Sequence, residues 1–88
     1  MNSEKFIEKA KQIVKDYTIE NMSKGKDIIE FEVAIVWHAY ILGNQKALIT
    51  TDIKDGMYYE VTYNKTTNEI YFDAYKKWEN RCIKIEEE

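Results

Sequence analysis

The sequence predicts an α+β fold in which one N-terminal helix packs on a four-stranded antiparallel β-meander. Two patterns predict it: an apolar stripe with helical spacing within residues 1–25, and period-two alternation across residues 28–75. Eighty-eight residues suffice for one modest core. Three glycines lie between the periodic segments, and the sequence has no proline. We therefore expect residues 1–88 to form one domain, ending in a frayed tail at residues 86–88.

An amphipathic helix is predicted over residues 3–24. Its apolar residues recur three and four positions apart, and charged residues occupy the other faces. The stripe consists of Phe6, Ala10, Ile13, Val14 and Tyr17. Asn2 or Ser3 can cap the first turn, and Gly25 can end the helix in a left-handed conformation.

Alternation predicts a long strand over residues 28–42, with its odd-numbered apolar residues turned towards the helix. Asp27 to Glu30 also matches a capping box, so a helical turn ahead of the strand is an alternative. Further strands are expected at about 46–53, 57–64 and 69–75.

The turns predict how these strands pair. A turn around Gly43-Asn44-Gln45, a three-residue loop ending at Gly56 and a turn over residues 65–68 keep one face of the sheet apolar. The pairs expected beside them are Ile41 with Ala47, Ile53 with Met57, and Tyr63 with Ile70. Residues 76–85 are predicted as either a helical turn or a short last strand.

The same registers predict an outer face, directed away from the helix, with a polar central row flanked by tyrosines. The residues expected to bind a ligand or a partner are Tyr40, His38, Tyr58, Glu60, Tyr71, Asp73, Tyr75, Lys46, Lys76, Lys77, Trp78 and Arg81. A face this apolar is typical of an interface or a ligand site. Homodimerisation, or cover by residues 76–85, would explain it equally well.

Composition excludes several classes of protein. The net charge of -3 is opposite to that of a duplex-binding module, and one cysteine (Cys82) and one histidine (His38) cannot build a multi-cysteine or histidine-rich metal centre. The sequence has neither a signal peptide nor a long apolar run. We expect a cytoplasmic protein that uses no metal or other cofactor and binds neither duplex nucleic acid nor a membrane.

Several segments together resemble a known family. They are Val36-Trp37, residues 42–48, residues 55–64 and residues 69–80. This series is similar to a family of small proteins of unknown function encoded by phages and prophages of low-GC Gram-positive bacteria. The resemblance implies a bacterial host cytoplasm and action by binding rather than by chemistry. The order of helix and meander also resembles a cystatin-like arrangement, as an analogy of fold only.

Three hypotheses for function follow. The first is a non-enzymatic phage protein that counters a host defence system, either by sequestering a nucleotide signal or by occluding a defence protein. A nucleotide would require cations, which Lys46, Lys76, Lys77 and Arg81 can supply. The second is a structural, dimeric phage protein whose outer faces pack together. The third is a small enzyme that uses the row of His38, Glu60 and Asp73.

Overall fold

The computed structural model describes residues 1–22 and 30–86. Within them, α1 (Ser3–Met22) precedes the strands β1 (Val33–Ile41), β2 (Asn44–Thr51), β3 (Met57–Asn64) and β4 (Glu69–Lys76). The strands form one antiparallel sheet in the order β1-β2-β3-β4, and α1 packs on one of its faces. The predicted α+β fold is thus confirmed. The predicted helix end at Gly25 and the helical turn beginning at Asp27 lie outside the described residues.

Helix α1 begins at an asparagine cap and buries every fourth residue. The backbone N–H of Lys5 donates to Asn2 Oδ1 at 2.8 Å, so Asn2 satisfies a donor that the first turn leaves free. The buried side chains are Phe6, Ala10, Val14 and Thr18. Thr18 is polar, but its hydroxyl donates to the carbonyl of Val14 at 2.7 Å, which makes burial of the hydroxyl acceptable.

The core lies between α1 and the two central strands. Alternate residues of β2 and β3 are buried against the helix stripe: Ala47, Ile49, Tyr59, Val61 and Tyr63. Tyr59 stacks on Phe72 with ring centres 5.9 Å apart. Burial raises the pKa of the Tyr59 hydroxyl above its ordinary value, although a hydrogen bond with Thr18 opposes this.

The β3–β4 register is the predicted one, with Tyr63 opposite Ile70. Between β2 and β3 the prediction is wrong by two positions, because Ile49 pairs with Tyr59 across a five-residue loop, residues 52–56. Asp52 ends β2 early: its carboxylate accepts the N–H of Glu32 at 2.9 Å. A shift of two leaves every side chain on its predicted face.

The predicted β1–β2 register is wrong, and the error places the side chains of Trp37–Ile41 on the wrong face of the sheet. Leu42 and Gly43 form a two-residue turn with φ of 51° and 86°, so that Ile41 pairs with Asn44 rather than with Ala47. A β-bulge then shifts the register between Ile35 and Trp37. Beyond the bulge the even-numbered residues of β1 face the helix, because a displacement of one residue turns each side chain to the opposite side.

The predicted C-terminal element does not form. Residues 77–86 adopt neither helix nor strand and are exposed throughout, with Trp78 96% exposed. The radius of gyration is 15.5 Å, whereas a compact chain of this length has about 12 Å. The C-terminal segment therefore extends away from the two-layer body and does not cover the outer face of the sheet.

Candidate functional site

The outer face of the sheet carries the candidate site, since α1 covers only the opposite face. Its two central rows follow from the strand registers. One row is Trp37, Leu48, Glu60 and Asp73, and the next is Ala39, Lys46, Thr62 and Tyr71. Neighbours within a row lie about 5 Å apart, so these side chains form one continuous surface.

Apolar and aromatic side chains dominate both margins of this surface. Along β1, Trp37 is 42% exposed and borders a shallow depression of about 240 Å³ that Ala39 and Ile41 also line. Along β4, Tyr71 and Tyr75 are each about half exposed. Large apolar side chains on both sides of one open face are typical of a surface that binds another molecule.

Two carboxylates lie side by side in one of the two central rows of the outer face, one on β3 and one on the edge strand β4. Glu60 on β3 is directly opposite Asp73 on β4, an arrangement in which like charges repel. Lys46 on β2 compensates for part of this repulsion, because its Nζ lies 3.4 Å from Glu60 Oε1. The centre of the face therefore has a net negative charge, and the Lys46 cation is already engaged.

A second cation is held at the corner of the outer face where β3 begins. Lys77 Nζ lies 5.5 Å from the ring centre of Tyr58, which is a cation–π distance. The Lys77 backbone N–H donates to the carbonyl of Gly56 at 2.7 Å and so fixes the start of the C-terminal segment. Tyr58 is in turn paired with Tyr75 across the strands.

The structure brings together seven of the twelve predicted binding residues. Those on the outer face are Tyr58, Glu60, Tyr71, Asp73, Tyr75 and Lys46, and Lys77 joins them through Tyr58. Lys76 pairs with Met57 on the helix side of the sheet. Trp78 and Arg81 lie in the exposed C-terminal segment, where Arg81 donates to the carboxylate of Glu79.

His38 and Tyr40 are not on the outer face, and their predicted placement there is wrong. The His38 ring lies 5.6 Å from that of Phe6, and its Nε2 is 2.9 Å from Gln45 Oε1. Gln45 is buried and donates to the carbonyl of Met1 at 2.8 Å. This chain of hydrogen bonds ties the N-terminus to the hairpin of β1 and β2, so His38 has a structural role.

The sheet separates His38 from the two carboxylates with which it was expected to form a row. Glu60 and Asp73 face outward, whereas His38 faces α1. A proton relay through His38, Glu60 and Asp73 is therefore excluded. Within residues 1–22 and 30–86, no cluster of three His, Cys, Asp or Glu side chains is placed to hold a metal ion.

Sequence reasoning missed the β1 side of the surface, where Trp37 and Ile41 face outward. The bulge leaves no sequence signal, because Val36 is as suitable for a regular strand as for an irregular one. The turn also resists prediction, since a leucine seldom adopts the positive φ of Leu42.

No helix within the described residues has both the length and the apolar character needed to cross a membrane.

Comparisons with other proteins identify a family. Neither the curated proteins nor the solved structures include a match to this chain. One family model matches residues 7–85, which include most of α1, all four strands and most of the C-terminal segment. The chain therefore belongs to DUF6275, a family of unknown function.

Proposed function

We propose that this protein is a non-enzymatic binding protein whose outer sheet face recognises the surface of another protein. The observation that carries this proposal is the uncovered face itself, where Trp37 and Ile41 at one margin and Tyr71 and Tyr75 at the other remain exposed beside a fully packed core. Aromatic side chains of this kind supply most of the binding energy at protein interfaces.

The total exposed area supports the same proposal. The chain exposes 7228 Å², roughly 1,800 Å² more than the roughly 5,400 Å² expected of a compact monomer of this mass. Part of the surplus lies in residues 77–86, where Trp78, Ile83 and Ile85 are exposed. A standard protein interface removes about 800 Å² from each partner, so the surplus is large enough for one.

The charges favour a protein partner over a nucleotide. A bound phosphate needs free cations, but Lys46 is paired with Glu60, Lys77 lies over Tyr58 and Arg81 is paired with Glu79. The fourth cation expected to bind a nucleotide, Lys76, lies on the helix side of the sheet, away from the outer face. The carboxylates of Glu60 and Asp73 would repel a phosphate at the centre of the face. Sequestration of a nucleotide signal is therefore the weaker form of the proposal.

The biological setting comes from the resemblance to phage- and prophage-encoded proteins. On that basis we propose that the protein acts in the cytoplasm of a bacterial host and that its partner is a host defence protein. Occlusion of such a protein requires only a complementary surface. It therefore agrees with an outer face that holds aromatic anchors and lacks a catalytic arrangement.

A structural role as a dimer with packed outer faces is less well supported. A two-fold axis through the centre of this face would bring Glu60 and Asp73 of one copy close to the same carboxylates of the other. Only Lys46 is available there to offset them. Such packing would bury like charges, which costs free energy unless each is paired.

Paired variants test the proposed binding surface. Three purified proteins are used to capture partners from a bacterial lysate: the wild type, Tyr71→Asp, and the control Lys11→Asp on the exposed side of α1. Any captured partner is then purified and titrated against each of the three. We expect Tyr71→Asp to weaken binding at least tenfold and Lys11→Asp to leave it unchanged. Equal binding by the two variants contradicts the assignment of the surface. A retained mass in the nucleotide range in native mass spectrometry would contradict the choice of a protein partner.

A further inference from the structure

Strand β1 forms an edge of the sheet that lacks charged residues and proline, and its one protective feature, the β-bulge at Val36, leaves Trp37–Ile41 regular. Its nine residues, Val33–Ile41, include no proline and no Asp, Glu, Lys or Arg. The opposite edge, β4, carries charges at Glu69, Asp73 and Lys76. Charged residues on an edge strand discourage pairing with other chains, whereas a long apolar edge invites it. The two edges of this sheet therefore differ in charge, a property that controls pairing with other chains.

The hairpin geometry identifies the backbone groups that are available along β1. Residues flanking a two-residue turn form a hydrogen-bonded pair, so Ile41 and Asn44 exchange both bonds. Bonded and non-bonded pairs alternate along an antiparallel ladder, so the N–H and C=O groups of His38 and Tyr40 point away from β2. No hydrogen bond joins these outward groups to any other segment of the described chain.

We propose that two copies of this chain pair through β1, in antiparallel orientation, to form a continuous eight-stranded sheet. The bulge at Val36 limits regular pairing to Trp37–Ile41, and the centre of that run is Ala39. A two-fold axis at Ala39 places His38 of each copy opposite Tyr40 of the second copy. These residues carry the outward backbone groups, so the pairing forms four hydrogen bonds.

Side chains on the outer face agree with this register. The two-fold axis places Trp37 of each copy beside Ile41 of the second copy, and Ile41 is 66% exposed in the single chain. Ala39 meets its own equivalent, where a small side chain allows the close approach of a non-bonded pair. On the other face, Tyr40 lies next to His38 of the second copy, and Tyr40 is 55% exposed in the single chain. Aromatic and β-branched neighbours of this kind stabilise paired strands.

Charge and area also agree with a second copy as the occupant. Glu30 and Glu32 precede β1, and antiparallel pairing about Ala39 places them beyond the Leu42–Gly43 turn of the second copy, at opposite ends of the paired run rather than opposite each other. A stable dimer buries about 600 to 1,000 Å² on each chain, and the large side chains that meet in this register are still exposed in the single chain: Trp37 by 42%, Tyr40 by 55% and Ile41 by 66%. The inference does not depend on the proposed function, since edge pairing leaves the outer face open.

Oligomeric state is the first test. Sedimentation equilibrium across a concentration series should give twice the mass of one chain for the wild type and the mass of one chain for Ala39→Glu, which places two carboxylates at the axis. The control Tyr71→Glu, in the same row but at the β4 edge, should remain a dimer. A wild type that is monomeric at every concentration, or an equal loss of dimer in both variants, would overturn the proposal.

Disulfide trapping provides a second test that does not depend on the folding of Ala39→Glu. In a Cys82→Ser background, Ala39→Cys should form a covalent dimer under mild oxidation, because a non-bonded antiparallel pair has Cα atoms about 4.5 Å apart, within disulfide range. Tyr71→Cys in the same background should form far less covalent dimer. Equal cross-linking of the two variants would show that the trapping reflects random collision and would contradict pairing through β1.

Discussion

Gln45 and His38 hold each other in place on the helix side of the sheet: Gln45 Oε1 accepts a hydrogen bond from His38 Nε2 at 2.9 Å. Gln45 is 2% exposed and uses its amide to bind the carbonyl of Met1. The single histidine of the chain thereby satisfies a buried acceptor next to the core, and the first residue of the chain is tied to the second strand.

We expect His38→Ala to destabilise the protein by about 2 kcal/mol, because it leaves the Gln45 acceptor buried without a partner. Urea unfolding followed by circular dichroism measures this loss. Tyr40→Ala is the matched control, since it lies two residues away on the same strand and face but is about half exposed. The control should cost much less, and equal losses would contradict a structural role for the His38–Gln45 bond.

One substitution in the turn between β1 and β2 should increase the stability of the protein. Leu42 adopts φ of 51° although it is 89% exposed and so gains little from packing. Leu42→Asn creates the Asn-Gly pair that two-residue turns favour, and we expect a gain of about 1 kcal/mol. Gly43→Ala should act in the opposite direction, because Gly43 has φ of 86°. Thermal unfolding measures both, and an unchanged or lower midpoint for Leu42→Asn would contradict the turn geometry.

The charges of the outer face should show energetic coupling. Lys46→Met removes the cation beside Glu60 and leaves Glu60 opposite Asp73 without compensation, so we expect a loss of about 0.5–1 kcal/mol that diminishes at high salt. Asp73→Asn removes the repulsion and should make Lys46→Met nearly neutral. A double-mutant cycle measures this coupling, and strictly additive effects would contradict it.

Stability at alkaline pH should depend on Tyr59. Burial, the largest cause, raises the pKa of its hydroxyl in the folded state above the ordinary value of 10.0. The unfolded chain therefore loses the Tyr59 proton more readily, so the stabilisation is present below pH 10 and is lost as the pH rises through the folded-state pKa. Tyr59→Phe should remove this part of the pH dependence, because phenylalanine has no hydroxyl to titrate.

Unfolding free energies of the wild type and Tyr59→Phe at neutral and alkaline pH provide the comparison. The difference between the two proteins should change in favour of the variant as the pH rises. Tyr71→Phe, which removes a hydroxyl from the exposed outer face, is the control for the loss of any one tyrosine hydroxyl. A constant difference between Tyr59→Phe and the wild type would show that Tyr59 does not carry this dependence.

The parts of the fold that were predictable are those in which period and turn chemistry agree. The stripe from Phe6 to Tyr17 predicts α1, and the polar residues 65–68 predict the β3–β4 register. In each case only one arrangement buries the apolar residues of the pattern. The arrangement of Glu60, Asp73, Tyr58, Tyr71 and Tyr75 on the outer face followed from that register.

The parts that failed depend on backbone irregularities that side-chain type does not reveal. The odd-numbered residues of β1 form an unbroken apolar series, and this regularity predicts that Trp37 and Ile41 face the helix. The bulge after Ile35 and the turn at Leu42 place them outside instead. A strand with apolar residues on both faces gives no penalty that would distinguish the two registers.

Because α1 covers only one face of the sheet, the residues that determine folding and those of the proposed binding surface are divided between two sides of the same strands. On β3, Tyr59 and Val61 belong to the core, whereas Tyr58, Glu60 and Thr62 face outward. Natural selection can therefore alter the outward set with little loss of stability. A lineage of such proteins can follow a changing partner through substitutions at alternate positions while it keeps one architecture.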